Sequence, residues 1–211
     1  MKISVVIPTY NEESVILDCL NSISKQSLKD FEVVVVDDGS IDSTIKRLEE
    51  AKESLDLRIK IIHGKHEGAG AARNLGVKNS KGEILVFVDA DMTFERHFLK
   101  MLVKPIIAGK TKGTFSKDEM VSNWDKPLSR AYSINEGWEI KKRHPKNYPD
   151  HQKVFRAILK SEFNKVNGFT PGGYNDDWSL SEKLGYEADI AEKAVFYHKN
   201  PENLIEIYNH A

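Results

Sequence analysis

Four short runs of apolar, mostly β-branched residues, at positions 3–7, 31–36, 59–62 and 84–88, punctuate the first half of the chain. Between the first two, Val15, Ile16, Cys19, Leu20 and Ile23 recur at helical spacing, and Ile45 and Leu48 do the same after the second. The alternation predicts a βαβαβ arrangement. Near-continuous apolar strands are buried on both faces, so the expected fold class is α/β: a Rossmann-like, mostly parallel sheet flanked by helices and wound with right-handed crossovers. In such a sheet, ligands bind beyond the carboxyl ends of the strands, which makes the residues just after each run the place to look for chemistry.

Beyond residue 95 the pattern loosens. Residues 94–107 predict a helix, 112–116 a strand, 128–142 a helix and 154–159 a strand. Ser161 is expected to cap a short helix running to Asn167 and ended by Gly168, and 176–184 to form a helix stopped by Gly185. No Pro/Gly/Ser-rich linker and no internal repeat divides the chain, so residues 1–211 are expected to form one domain with halves 1–95 and 96–211.

Composition narrows the function classes. Hydrophobic residues make up 40% of the chain, as in an ordinary globular protein. The 31 basic and 32 acidic side chains leave a net charge of -1, with no positive field for a nucleic-acid backbone, so no nucleic-acid partner is expected. The apolar runs fall far short of the ~20 residues that span a bilayer. Residues 3–7 are also shorter than the about 7–15 apolar residues of a secretory signal, and a cytoplasmic location is expected. Cys19, the single cysteine, forms no internal disulfide or multi-thiolate site and falls on the apolar face of the first helix. His63 and His66 have no cysteine partners for a zinc site.

The strand ends carry the candidate chemistry. Pro8-Thr9-Tyr10-Asn11-Glu12-Glu13 follows the first strand, Asp37-Asp38-Gly39-Ser40 the second and Asp89-Ala90-Asp91 the fourth. Each alone is ordinary turn chemistry. Together they gather acidic groups on one sheet edge, where they repel one another unless a cation or ligand lies among them. The third connection, His66-Glu67-Gly68-Ala69-Gly70-Ala71-Ala72-Arg73-Asn74 with Lys65 before it, is a small-residue loop opening a helix. Backbone N–H groups and a guanidinium there suit a phosphate, while close helix–sheet packing is the other reading; the third glycine of a dinucleotide fingerprint is missing. In an extended chain, Asp89 and Asp91 lie on one side and share one hard cation, Mg2+ or Mn2+, which also takes substrate phosphates. The combination predicts a nucleoside diphosphate held by metal, with Asp37 and Asp38 near the base or ribose.

With IPTYNEE at 7–13, VVVVDDGSIDST at 33–44, GAGAARNLG at 68–76 and FVDADMTF at 87–94, the chain resembles the family 2 glycosyltransferases of the GT-A fold. GGYNDDWSL at 172–180 is similar to the acidic motif that carries that family's catalytic base, with Asp176 in the place of the usual Glu and Asp177 in that of the Asp; YHKNP at 197–201 is similar to its C-terminal segment. The resemblance implies a donor-binding half (1–95) and an acceptor-binding half with the base (96–211). It implies that Pro8, Tyr10 and Glu12 border the nucleotide base, that Asp38 hydrogen-bonds it beside Gly39 and Ser40, and that Lys65, Gly68, Arg73, Asn74 and Ala90 complete the donor site. Asp91 would hold Mn2+ or Mg2+, Asp89 the ribose or the metal, and His198 the metal or diphosphate. Asp177, next to Asp176, would take the acceptor proton.

The implied activity is transfer of one sugar, with inversion, from a nucleotide-diphosphate sugar to the hydroxyl of a glycan, lipid-linked or small-molecule acceptor. The Gln-x-x-Arg-Trp motif of processive synthases is absent. Trp138 and Trp178 either stack on the acceptor or pack in the core. The basic run 141–146 is either a solvated helix end or a contact for a phosphate-bearing acceptor or an anionic membrane surface. Three alternatives stay open: a retaining transferase, a sugar-nucleotide pyrophosphorylase, and a module that only binds nucleotide sugars.

Overall fold

The computed structural model of the chain describes residues 2–172, 176–203 and 206. Gly173, Tyr174 and Asn175 of the acidic motif therefore lie outside the described residues. The four expected strands, β1 (Ile3–Thr9), β2 (Phe31–Asp37), β3 (Ile59–His63) and β4 (Ile84–Phe87), pair in parallel in the order β3-β2-β1-β4. The helices between them are α1 (Ile16–Ser24), α2 (Thr44–Ser54) and α3 (Ala69–Lys78). The sheet continues from β4 through β9 (Ala157–Leu159), β6 (Gly113–Phe115), β10 (Ala188–Ile190) and β8 (His151–Gln152) to eight strands, β9 running antiparallel to both its neighbours.

Period-two alternation splits β1 between two cores. Val5 and Ile7 pack with Ile16, Cys19, Leu20 and Ile23 of α1 and with Phe98, Leu102 and Ile106 of α4 (Phe98–Ile107). Val6 faces the other way, toward Val77, Leu85, Phe87, Phe163 and Phe169. β1 is buried throughout, as its composition requires, whereas edge strand β3 leaves Lys60 and His63 exposed. On the second face α3 lies close against the sheet because Gly76 has no side chain: a Cβ there would stand 2.4 Å from Val6 Cγ1. Gly76→Ala is accordingly expected to cost about 1–3 kcal/mol through overpacking, seen as a lowered thermal midpoint. An unchanged midpoint would show that α3 moves out freely.

The second half departs from expectation where tertiary pairing overrides local pattern. Phe94 does not open a helix. It ends β5 (Met92–Phe94), which forms a small sheet with β11 (Phe196–His198) and β7 (Glu119–Val121) in the order β5-β11-β7. The helix expected over 128–142 is α5 (Pro127–Asn135), cut short where Gly137 turns to φ +68°. Ser161 lies inside α6 (Lys160–Lys165) rather than capping it, and the turn ends at Asn167 and Gly168, both at positive φ. Residues Asp176–Trp178 make a single 3-10 turn before α7 (Ser179–Leu184), which Gly185 closes at φ +73°. Among the described residues no helix is long and apolar enough to cross a membrane.

Candidate active site

A cleft of about 330 Å³ opens beyond the carboxyl ends of β1, β2 and β4, the edge at which a parallel sheet binds ligands. Pro8, Tyr10, Glu12, Asp38, Arg73, Asp89, Ala90, Asp91 and His198 line it. The first loop is set by Asn11, which adopts φ +56°. Its N–H donates to Ser40 Oγ at 2.9 Å, and its Oδ1 accepts from the Ile41 N–H at 2.9 Å. The Glu12 N–H donates to Thr44 Oγ1 at 2.8 Å, and its carboxyl reaches the cleft. Burial first, then the charges of Asp91, Asp42 and Asp89, push Glu12 up to about 7. A cation bound nearby would favour its ionised form.

The loops that follow β2 and β3 are tied to one another. Asp38 is buried, and its two carboxylate oxygens accept the N–H groups of Glu67 at 3.0 Å and Gly68 at 2.8 Å, across the mouth of α3. Asp176 stands over the same helix, since a Cβ on Gly70 would come within 2.6 Å of its Oδ2. Protein carboxylates thus occupy much of the helix mouth that the glycine pattern offers to a phosphate. Tyr10 stacks on His66 with ring centroids 4.0 Å apart. Asp37 is buried and turns Oδ2 to the Ser40 N–H at 3.2 Å.

The Asp-x-Asp does not act as one two-carboxylate clamp in this structure. The segment between β4 and β5 turns, with the Met92 N–H 3.3 Å from Asp89 O, so strand alternation does not hold there. Asp89 accepts from Arg73 Nη2 at 2.8 Å and from Arg156 Nη1 at 3.0 Å. Burial would raise its carboxyl, but Arg156 and Arg73 outweigh it and hold Asp89 far below the usual carboxylate range. The buried Arg73 also donates through Nη1 to Asp177 and lies 3.7 Å from Asp176. Burial raises the Asp177 carboxyl; Arg73 opposes this and Asp89 adds to it.

Asp91 turns to the other side, where its Oδ2 lies 2.7 Å from His198 Nε2, and His198 Nδ1 meets Glu119 Oε1 at 2.9 Å. Among the described residues no three His, Cys, Asp or Glu side chains form a ready-made metal cage. A carboxylate oxygen and an imidazole nitrogen side by side in a cleft that Glu12 also lines nevertheless fit an ion such as Mn2+ or Mg2+. Such an ion takes few protein ligands and completes its shell with substrate oxygens and water.

The remaining expected residues fall around this centre. Lys65 is exposed and lines a neighbouring hollow with Val36 and Leu75. Asn74 is turned away: its amide clasps the backbone of Phe169 through two 2.9 Å bonds. Trp178 is exposed beside Asp177, with Lys153 Nζ 5.0 Å over its ring. The basic run is no helix end, since Arg143 pairs with Glu119 at 3.3 Å, sits over Trp138, and precedes a buried His144. Arg156 and Glu119 escape the sequence reading as site residues. Only Arg156 has a local signal: a lone cation within the apolar stretch 154–159.

Comparison with known proteins identifies the family and the fold. The model of the family "Glycosyl transferase family 2" matches residues 4–166. Poly(ribitol-phosphate) beta-N-acetylglucosaminyltransferase TarS of Staphylococcus aureus is 41% identical over 102 residues, 47% of this chain and 18% of that protein. Glycosyltransferase GlyA of Streptococcus pneumoniae is 37% identical over 135 residues, 64% of this chain and 17% of that protein. The chain therefore spans under a fifth of the length of these relatives. The crystal structure of S. aureus TarS 1-349 in complex with UDP-GlcNAc superposes with a TM-score of 0.71 at 26% identity, covering 98% of this chain and 61% of that one. The mannosyltransferase PcManGT of Pyrobaculum calidifontis, solved with GDP-Man and Mn2+, has the same fold at a TM-score of 0.71 and 23% identity, over 98% of this chain and 59% of that one. With strand ends, cleft and family model in agreement, the chain belongs to glycosyl transferase family 2 and adopts the GT-A fold.

Proposed function

We propose that the chain transfers one sugar from a UDP-sugar to an acceptor hydroxyl, with inversion and with the help of a divalent cation. The observation that carries this reading is the pairing of Asp91 with His198 in the lining of the cleft, with Arg73 of the same lining bonded to Asp177. The UDP-GlcNAc complex of TarS supports the choice of nucleotide. Pro8, Tyr10 and Asp38 border the base, and Asp91 and His198 hold the ion. When bound, the ion supplies Lewis-acid stabilisation of the charge that develops on the leaving diphosphate. Asp177 accepts the proton of the acceptor hydroxyl as its oxygen bonds to the anomeric carbon and the bond to the diphosphate oxygen breaks. One carboxylate base suffices for this displacement, whereas glycoside hydrolysis needs a flanking pair. Arg73 holds Asp177 in place, and Asp89, itself held by Arg156, holds Arg73.

Nucleotide release from UDP-sugars in the presence of candidate acceptors tests the reading. Asp91→Ala is expected to lower turnover by about 10²-fold or more, and EDTA to do the same to the parent, since metal stabilisation is worth several kcal/mol. Parent-like turnover of Asp91→Ala, or indifference to EDTA, would remove the ion from the account.

A further inference from the structure

We propose that Glu119 is a positioning residue for His198, fixing the imidazole so that Nε2, and not Nδ1, faces the ion position beside Asp91. The inference rests on the reading of Asp91 and His198 as the metal pair. Glu119 and His198 are brought together by the small sheet, where β7 and β11 run parallel with Phe196 opposite Glu119 and His198 opposite Val121. Glu119 Oε1 lies 2.9 Å from His198 Nδ1, and Asp91 Oδ2 lies 2.7 Å from Nε2 on the far side of the ring.

Glu119 does not line the cleft, so its action on the site passes through the imidazole. The carboxylate is itself secured: Arg143 Nη1 lies 3.3 Å from Oε1, and the Arg143 N–H donates to the Glu119 carbonyl at 3.0 Å. An acceptor on Nδ1–H commits that nitrogen as the donor and stops the ring from flipping, so that a metal displacing the proton Nε2 shares with Asp91 would meet the Nε2 lone pair. A carboxylate outside the ligand set thus decides which nitrogen the ion meets.

Mn2+ affinity, measured by electron paramagnetic resonance on the protein with UDP present, tests this directly. Glu119→Ala is expected to lower it about 10–100-fold, the usual cost of losing such a support. Glu119→Gln keeps an oxygen acceptor without the charge and is expected to fall between Glu119→Ala and the parent. UDP affinity without metal should stay at the parent level in both, which a general loss of structure would not allow. The 15N–1H signal of His198 Nδ1–H should also shift in Glu119→Ala.

Parent-like Mn2+ affinity or an unmoved Nδ1–H signal in Glu119→Ala overturns the inference while leaving the metal reading intact. A parent that binds no Mn2+ overturns both. Should Glu119→Ala not fold, Glu119→Gln decides: weakened Mn2+ binding supports the role, and unchanged binding overturns it.

Discussion

Asp177→Asn is expected to lower turnover by about 10²–10⁴-fold while leaving UDP-sugar affinity nearly unchanged. Asparagine matches aspartate in size but accepts no proton from the acceptor. The fold should tolerate the change, because Arg73 keeps Asp89 at 2.8 Å and Asp176 at 3.7 Å. Burial raises the Asp177 carboxyl toward the range useful to a base, and the Arg73 guanidinium partly offsets that rise. Asp176→Asn should do less, since Asp176 stands over Gly70 at the mouth of α3 rather than on the direct Arg73 bond. Rates and donor affinities of the two variants, measured in parallel, separate the roles. A near-parent rate in Asp177→Asn removes the base assignment, and a collapse confined to Asp176→Asn moves it one residue back.

The largest stability effect is expected at Arg73. Its side chain is 7% exposed and faces Asp89, Asp176 and Asp177 together. Arg73→Met keeps the apolar stem but leaves those carboxylates facing one another with Arg156 as the remaining guanidinium on Asp89. Removing one partner of a buried ion pair costs about 3–5 kcal/mol; because Asp89 and Asp177 keep partial contact with water, a loss of about 2–3 kcal/mol is expected here. For a chain of this size that corresponds to a midpoint lowered by roughly 4–12 °C. Arg73→Lys should recover only part of it, since an ammonium does not reach both carboxylates with the guanidinium's fork. A midpoint within a degree of the parent for Arg73→Met would show that the network carries little of the fold.

The two halves of the chain differ in how much of them is legible. β1 to β4 are strands for a local reason: runs such as Val33 to Val36 are stable only when covered on both faces, and the helices on either side of the sheet cover them. β7, β10 and β11 hold three residues each, and Glu119-Met120-Val121 has no strand pattern to read, because its partner lies 77 residues away in β11. The site follows the same division. Tyr10, Glu12, Asp38 and Asp91 stand where a parallel sheet must present its loops, so they are visible in advance. What each of them touches is not: Arg73 with Asp177, Arg156 with Asp89 and Glu119 with His198 are pairings that only the folded chain creates. The turn at Asp89-Ala90-Asp91 is the clearest case, where alternation predicts one shared ion and the backbone instead sends Asp89 to two arginines and Asp91 to a histidine.

Thermal denaturation of the chain with UDP, GDP, ADP and TDP, each with and without Mn2+, tests the central claim most directly. A ligand at 100 times its dissociation constant stabilises the folded state by about 2.7 kcal/mol, which in a chain of this size raises the midpoint by roughly 5–10 °C. The account predicts such a rise with UDP and Mn2+ together, and a much smaller one on adding EDTA or in Asp91→Ala. A midpoint that none of the four nucleotides moves, with or without Mn2+, would contradict it.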